Sequence, residues 1–298
     1  MAKHSHPNAL YNAGFRFWDY GTSMDIGALP TIPYVANRWK ISKTGIVAGT
    51  VSKGAGPSGI EIPKWLRSKP ALKLDIISMD PGVNVAVTQY VEESERYGQA
   101  FAILSTVHTG PAGATIYVGI GDDLRPVQLK GESVQVTTTH SIMIPDLATS
   151  TVPVQVFSKP SVIGVYTVNY AQLSLGFDRP RNDGFTIRPE VEDRLLCDRY
   201  AYRVTAGTSG PATSTRVSIP IRFTTTMRAI PTITAIASTL SIVDIVTGAI
   251  TSVNSPALSA ATISVNGARL ALTNATGLPS SSTQMITTES VAVFHADY

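Results

Sequence analysis

Cysteine is almost absent from this chain: Cys197 is the single one in 298 residues. One cysteine excludes an internal disulfide and offers no metal-site spacing, so neither a metal nor any other cofactor is expected. Charge is scarce too, at 15% of residues, with a net charge of only +3. Lys and Arg are scattered, which argues against a nucleic-acid partner. No apolar run approaches the roughly 20 residues that span a bilayer, so no membrane insertion is expected. The polar opening, with His4 and His6, lacks the apolar core of a signal peptide. A soluble protein made in the cytoplasm is the expectation. No clean internal repeat is present.

Helix signals are also scarce. The one convincing stretch, residues 188–202, begins Arg188-Pro189-Glu190-Val191-Glu192-Asp193. Pro189 suits a first helical position, and the acids suit the positive end of the helix dipole. Val191, Leu195 and Leu196 form a narrow apolar face, so both leucines are expected to be buried at a junction between two domains. Arg188, Pro189, Leu195, Leu196 and Tyr200 are the predicted structural junction. Cys197 is expected to pack as a small apolar group.

Catalytic motifs are thin. Gly119-Ile120-Gly121-Asp122-Asp123 follows a strand but lacks the third glycine and following helix of a dinucleotide site, so it reads as a hairpin turn. Glu92, Glu93 and Glu95 with Asp122 and Asp123 are solvated loop charges unless the fold pairs them for glycoside cleavage. His108 and His140 have no neighbouring ligand or nucleophile, and no Gly-x-Ser-x-Gly occurs. Asp19, Asp25, Asp178 and Asp183 are loose calcium candidates. No catalytic residue and no metal site is assigned, and the chain is read as non-enzymatic.

What abounds is the material of strands and turns: Thr, Ser, Val, Ile, Gly and Pro. Alternation of period two in Leu72, Leu74, Ile76 and in Val83, Val85, Val87 marks half-buried strands. Residues 71–79 and 83–92 are expected to form a hairpin across Asp80-Pro81-Gly82. Further strands fall at 38–43, 46–53, 60–62, 101–108, 114–121, 133–142, 152–157 and 162–175. Even spacing without intervening helices indicates an all-β sandwich or jelly roll. A smaller C-terminal β domain follows, with strands at 204–206, 216–226, 232–238, 241–244, 249–253, 261–265, 269–274 and 289–295. The expected domains are 1–186 (jelly roll), 187–202 (helical linker) and 203–298 (small β domain). Charge-poor sequence rich in Thr, Ser and Ala suits faces where identical chains meet, so 203–298 is also the expected trimerisation region.

Aromatic residues crowd the beginning: Tyr11, Phe15, Phe17, Trp18, Tyr20, Tyr34 and Trp39. They read as a hydrophobic plug over the sandwich core, with a sugar-stacking platform as the alternative. Trp65 lies apart, in a basic loop with Lys64, Arg67 and Lys69. These four are the candidate glycan-binding residues, suited to an acidic surface polysaccharide.

Ordered landmarks resemble a known family. Asn12-Ala13-Gly14-Phe15-Arg16-Phe17-Trp18-Asp19-Tyr20-Gly21-Thr22-Ser23, followed by Tyr34-Val35-Ala36-Asn37-Arg38-Trp39, is similar to the opening of bacteriophage tail-fibre and related virion proteins. Asn37 stands where that family usually has Asp. Gln89-Tyr90-Val91-Glu92 and Ala171-Gln172-Leu173 resemble two of its strands. Arg188-Pro189 with Leu195, Leu196, Cys197, Arg199, Tyr200 and Tyr202 resembles its linker, with Ala201 replacing a Tyr. Ile219-Pro220-Ile221 and Met227-Arg228-Ala229-Ile230-Pro231-Thr232 resemble its C-terminal domain. The resemblance implies a carbohydrate-binding-module-like jelly roll in a homotrimer on the virion exterior, with other virion proteins of head or tail and a host surface polysaccharide as partners. The jelly roll begins near Met1, which leaves a capsid head-decoration or cement role as the alternative. A polysaccharide depolymerase-type spike is the second alternative, disfavoured by the missing β-helix repeats.

Overall fold

The computed structural model describes residues 8–18, 22–27, 34–36, 38–55, 70–92, 101–143, 151–176, 189–213, 215–235, 237–254, 256–273, 283–288 and 291–296. The chain divides into two compact units, Met1–Asp193 and Arg194–Tyr298.

The first unit holds β1 (Ser23–Asp25), β2 (Tyr34–Ala36), β3 (Trp39–Lys43), β4 (Val47–Ala55), β5 (Pro70–Met79) and β6 (Val85–Glu92). β7 (Phe101–Gly110), β8 (Thr115–Ile120), β9 (Asp123–Gln128), β10 (Gly131–Met143), β11 (Thr151–Phe157) and β12 (Gly164–Gly176) follow. They make two six-stranded sheets, ordered β1-β4-β5-β12-β7-β10 and β2-β3-β6-β11-β8-β9. Every pairing is antiparallel. Alternate residues of both sheets fill one core, among them Leu72, Leu74 and Ile76 from one and Val85, Val87, Val154 and Val156 from the other. Burying each such aliphatic side chain contributes about 1.5–3 kcal/mol. This is the expected all-β sandwich.

Two expectations about the strands are corrected. β5 and β6 are not a hairpin. β5 pairs with β4 and β12, while β6 pairs with β3 and β11. Asp80-Pro81-Gly82 therefore carries the chain from one sheet to the other; Gly82 has φ 78° and Val83 N–H donates to Asp80 O at 3.3 Å. Period-two alternation says which face of a strand is buried, not which sheet it joins. β9, over residues beyond the Asp122-Asp123 turn where no strand is expected, is a strand. Its Pro126 cannot donate to a ladder, and β9 tolerates it because it is an edge strand.

Within the aromatic opening Phe15, Trp18 and Trp39 are buried as a plug would be, Tyr11 and Phe17 are half-buried, and Tyr20 and the side chain of Tyr34 lie outside the described residues. Phe15 and Trp39 are fully buried with ring centroids 5.1 Å apart, and Leu10 and Trp18 are buried with them. Polar side chains hold the segment in place. β12 pairs with β5 only as far as Val168. Beyond that point residues 8–13 take over its exposed edge: Ala9 N–H donates to Leu173 O at 2.8 Å and Ala171 N–H to Ala13 O at 3.1 Å. Asn8 Oδ1 accepts Leu173 N–H at 2.9 Å, and Gln89 bonds both the N–H and the C=O of Tyr11. Asn12 has φ 47°, a region Asn tolerates better than most residues. Its side chain accepts from Arg16 N–H and Phe17 N–H and donates to Phe17 O.

The helix α1 (Glu190–Asp198) has the expected acids in its first turn. It ends earlier than expected, because Ala201–Val204 is a strand. Its expected buried face is corrected. Val191 is 73% exposed, Leu195 is 46% exposed and Leu196 is half-buried. Asp193, Cys197 and Asp198 are buried instead, as is Tyr200 just past the helix end. Asp193 Oδ1 accepts the Asn12 backbone N–H at 2.9 Å, and Asp198 Oδ1 lies 2.7 Å from Arg194 Nε. Hydrogen-bond partners thus outweigh hydropathy in setting which side is inward. Cys197 is fully buried, as a small apolar group would be.

The second unit contains β13 (Ala201–Val204), β14 (Ser209–Thr213), β15 (Arg216–Arg222), β16 (Thr232–Ala235) and β17 (Thr239–Asp244). β18 (Ile250–Asn254), β19 (Leu258–Ser264), β20 (Gly267–Leu272), β21 (Thr283–Ile286) and β22 (Ala292–His295) complete it. A three-stranded sheet β13-β22-β16 and a seven-stranded sheet β18-β17-β21-β14-β15-β20-β19 share a core around Phe223, Leu240, Ile242, Leu270 and Phe294. Neither β14 nor β21 matches an expected strand, and β19 begins three residues before the strand expected at 261–265.

Candidate functional site

The outer face of the β2-β3-β6-β11-β8-β9 sheet carries the most functional-looking arrangement among the described residues. On β6 the inward phase belongs to Val85, Val87 and Val91, so Ala86, Thr88 and Tyr90 point outward. On β8 the inward residues are Ile116, Val118 and Ile120, which turns Tyr117 out. On β3 they are Trp39 and Ile41, which turns out Lys40 and Ser42. Pairing then sets Lys40, Thr88, Gln155 and Gly119 side by side across four strands.

Two tyrosine–lysine pairs frame this polar row. Lys40 Nζ lies 5.4 Å from the Tyr90 ring centroid, and Tyr90 is 41% exposed. Lys159, just after β11, puts its Nζ 5.7 Å from the half-buried Tyr117 ring. A cation over a ring is held by the ring's negative face, so each ammonium is positioned rather than merely nearby. Lys159 sits at φ 48°, and its N–H donates to Asn84 Oδ1 at 2.7 Å. Tyr117 N–H donates to Ser158 O at 2.8 Å, which ties that end of the face to β8. From strand spacing and rise the two rings are about 15 Å apart, the reach of an oligosaccharide rather than one sugar. Gly119 keeps the middle flat, since a Cβ there would lie 2.0 Å from Asp123 O.

Chemically the face offers two aromatic rings for sugar C–H groups, the amide group of Gln155 and two cations, while Thr88 is buried. The outward side chains described on these strands include no carboxylate.

Of the residues named from sequence, Trp65, Lys64, Arg67 and Lys69 lie outside the described residues, as does Arg188. Pro189 is exposed, and Tyr200 is buried with Arg228 6.0 Å from its ring. Among the calcium candidates only Asp25 is described, and its Oδ1 accepts Gly27 N–H at 2.7 Å. No group of three or more His, Cys, Asp or Glu side chains that could hold a metal occurs among the described residues. Asp122 and Asp123 form the β8–β9 hairpin, as expected of that turn. Asp123 is held by Arg125 at 2.9 Å and lies 3.3 Å from His140 Nε2. Glu93 and Glu95 are outside the described residues, as is the side chain of Glu92.

Sequence reasoning missed Tyr90, Tyr117, Lys40 and Lys159 as a group. The alternation that identified inward Val85 and Val87 also turns Tyr90 outward. Only the sheet order brings β3, β6 and β8 onto one face.

No protein-family model matches the sequence, and no curated protein matches it. Among solved structures, the enzymatically active domain of tailspike protein 4 from bacteriophage CBA120 is similar at 14% identity and a TM-score of 0.39. That match covers 56% of this chain and 21% of the tailspike chain. TmCBM61 in complex with β-1,4-galactotriose is similar at 17% identity and a TM-score of 0.34, over 56% of this chain and 97% of that one. A cyclase from Fischerella sp. TAU is similar at 12% identity and a TM-score of 0.36, over 55% and 94%.

Proposed function

We propose that this chain is a non-enzymatic, glycan-binding protein of a bacteriophage particle's exterior, of the tail-fibre type and assembled as a homotrimer. The observation that carries the binding part is the outer face framed by Tyr90 with Lys40 and by Tyr117 with Lys159. Aromatic rings paired with fixed polar groups are the chemistry that recognises sugars. The virion part rests on the ordered sequence landmarks from Asn12 to Thr232. Assembly is supported by the second unit. Residues 229–298 hold only four charged side chains, Asp244, Arg269, Glu289 and Asp297. The β17–β18 hairpin exposes Ile245, Val246 and Ile250, and β18 is an edge strand without Lys, Arg or Pro.

A glycan array read with the purified chain and with Tyr90→Ala tests the proposal. Binding by the parent and loss in the variant is the expected result. No binding by the parent to any glycan discards the receptor reading and leaves an architectural protein.

A further inference from the structure

Among the described strands of the first unit, β1, β10, β2 and β9 form the sheet edges. Three of them are blunted. β1 and β2 are three residues long, and β9 carries Arg125 and Pro126. Short length, charge and proline are the devices that keep a sheet edge from pairing with another chain. β10 lacks them. It runs for thirteen residues, and its regular part, Val136-Thr137-Thr138-Thr139-His140-Ser141-Ile142, contains no proline, lysine, arginine or carboxylate. β7 takes one side of β10, and no described strand pairs with the other.

We propose that this edge is a two-fold contact with a second copy of the chain, β10 antiparallel to β10 about Thr139. The edge is complementary to itself. Val136 and Ile142 pack against the core, Thr138 shares a hydrogen bond with the buried Thr106 hydroxyl at 2.8 Å, and His140 lies 3.3 Å from Asp123. These residues share the inner face, while Thr137, Thr139 and Ser141 are exposed on the outer one. Pairing must keep each face on its own side, so the two-fold axis passes through a residue position and not between two. An axis at Thr139 sets Val136 opposite Ile142, Thr137 opposite Ser141 and Thr138 opposite His140, each of them twice. Apolar branched residues then meet each other and hydroxyls meet hydroxyls, the cross-strand pairs that stabilise sheets. An axis at Thr138 would instead set Val136 against His140. The contact is isologous, and it is independent of the glycan face and of the trimer. A ladder over Val136–Ile142 is short against the roughly 1,200 Å² of a stable complex, so it should form as concentration rises.

Disulfide trapping reads the register. Thr137→Cys and Ser141→Cys chains, mixed and mildly oxidised, should give a covalent dimer. Each alone should not, because its cysteine faces residue 141 or 137 of its copy. Only opposed residues come within the roughly 7 Å between Cα atoms that a disulfide spans, and the native Cys197 is buried. Sedimentation over a concentration series, with circular dichroism to confirm the strands, is the second measurement. The species the parent forms at low concentration should double in mass. Thr137→Lys/Ser141→Lys and Thr137→Glu/Ser141→Glu each set like charges opposite and should lose the doubling, and their mixture should regain it. No doubling by the parent overturns the proposal and leaves the edge to an extended segment of another protein. Doubling that survives in both charge variants overturns it as well. So does a disulfide as abundant in a single-cysteine protein as in the mixture.

Discussion

His108 Nε2 donates to the Val156 carbonyl at 2.6 Å, a buried hydrogen bond from β7 in one sheet to β11 in the other. The ring is wholly buried and its Nδ1 has no hydrogen-bond partner. Burial disfavours the charged form and lowers the pKa from 6.5 to about 4, against a smaller raising effect of the Val156 carbonyl. The neutral ring with its proton on Nε2 is the form the fold holds.

Stability of the first unit should therefore fall in acid through this residue. The folded pKa lies below the unfolded one, so between about pH 6.5 and 4 the unfolded chain binds a proton that the folded chain does not. The contribution is fully present above pH 6.5 and is lost as pH falls, at about 1.4 kcal/mol per unit and about 3 kcal/mol in all. Urea unfolding followed by tryptophan fluorescence at pH 7.5 and 4.5 measures it. His108→Gln should show a shallower pH dependence than the parent; equal slopes would contradict the assignment.

Asn12 should be the least replaceable residue of the opening segment. Its side chain makes three hydrogen bonds to Arg16 and Phe17 backbone groups, its backbone takes φ 47°, and it is fully buried. Asn12→Ala loses the bonds and adds backbone strain, at about 2–4 kcal/mol together. Asn12→Gly loses only the bonds, so its urea midpoint should lie between those of the parent and the alanine variant.

The helix makes an equally direct forecast. Leu195→Ala should change stability by less than about 1 kcal/mol, because the side chain is largely exposed. Cys197→Ser places a hydroxyl at a fully buried position and should cost about 1–3 kcal/mol. Thermal melts of the two variants check the order; the reverse order would restore the leucine face expected from hydropathy.

Assembly is checked by light scattering. The proposed homotrimer predicts a mass near three times 31.7 kDa, and Val246→Asp, at an exposed hairpin tip, should shift it toward the monomer without lowering helix or strand content. A parent that stays monomeric at micromolar concentration would contradict the trimer.

The all-β class, the plug and most strand positions were legible because hydrophobic alternation is a local signal. Sheet membership was not. Leu72, Leu74 and Ile76 alternate like Val85 and Val87 yet belong to opposite sheets, and only pairing partners far along the chain decide that. Strands with turn-like residues were also hidden: β9 contains Pro126, and β14 contains Gly210 and Pro211. Gly210 is there because a Cβ would lie 2.1 Å from Ser218 O. The helix misled because Asp193 and Asp198 accept hydrogen bonds from Asn12 N–H and the Thr224 hydroxyl, partners far along the chain that the sequence does not pair with them. The candidate face was hidden for the same reason as the sheets, since its two tyrosine–lysine pairs draw on β3, β6, β8 and the residue pair Ser158-Lys159.

The central claim is that the Tyr90–Tyr117 face binds glycan. Calorimetric titration of an array-positive glycan into the parent and into Tyr90→Ala/Tyr117→Ala tests it most directly, with matched melting curves for both proteins. Losing both rings should weaken binding by at least about tenfold at unchanged stability. A double variant that binds as tightly as the parent would contradict the account and move the site off this sheet.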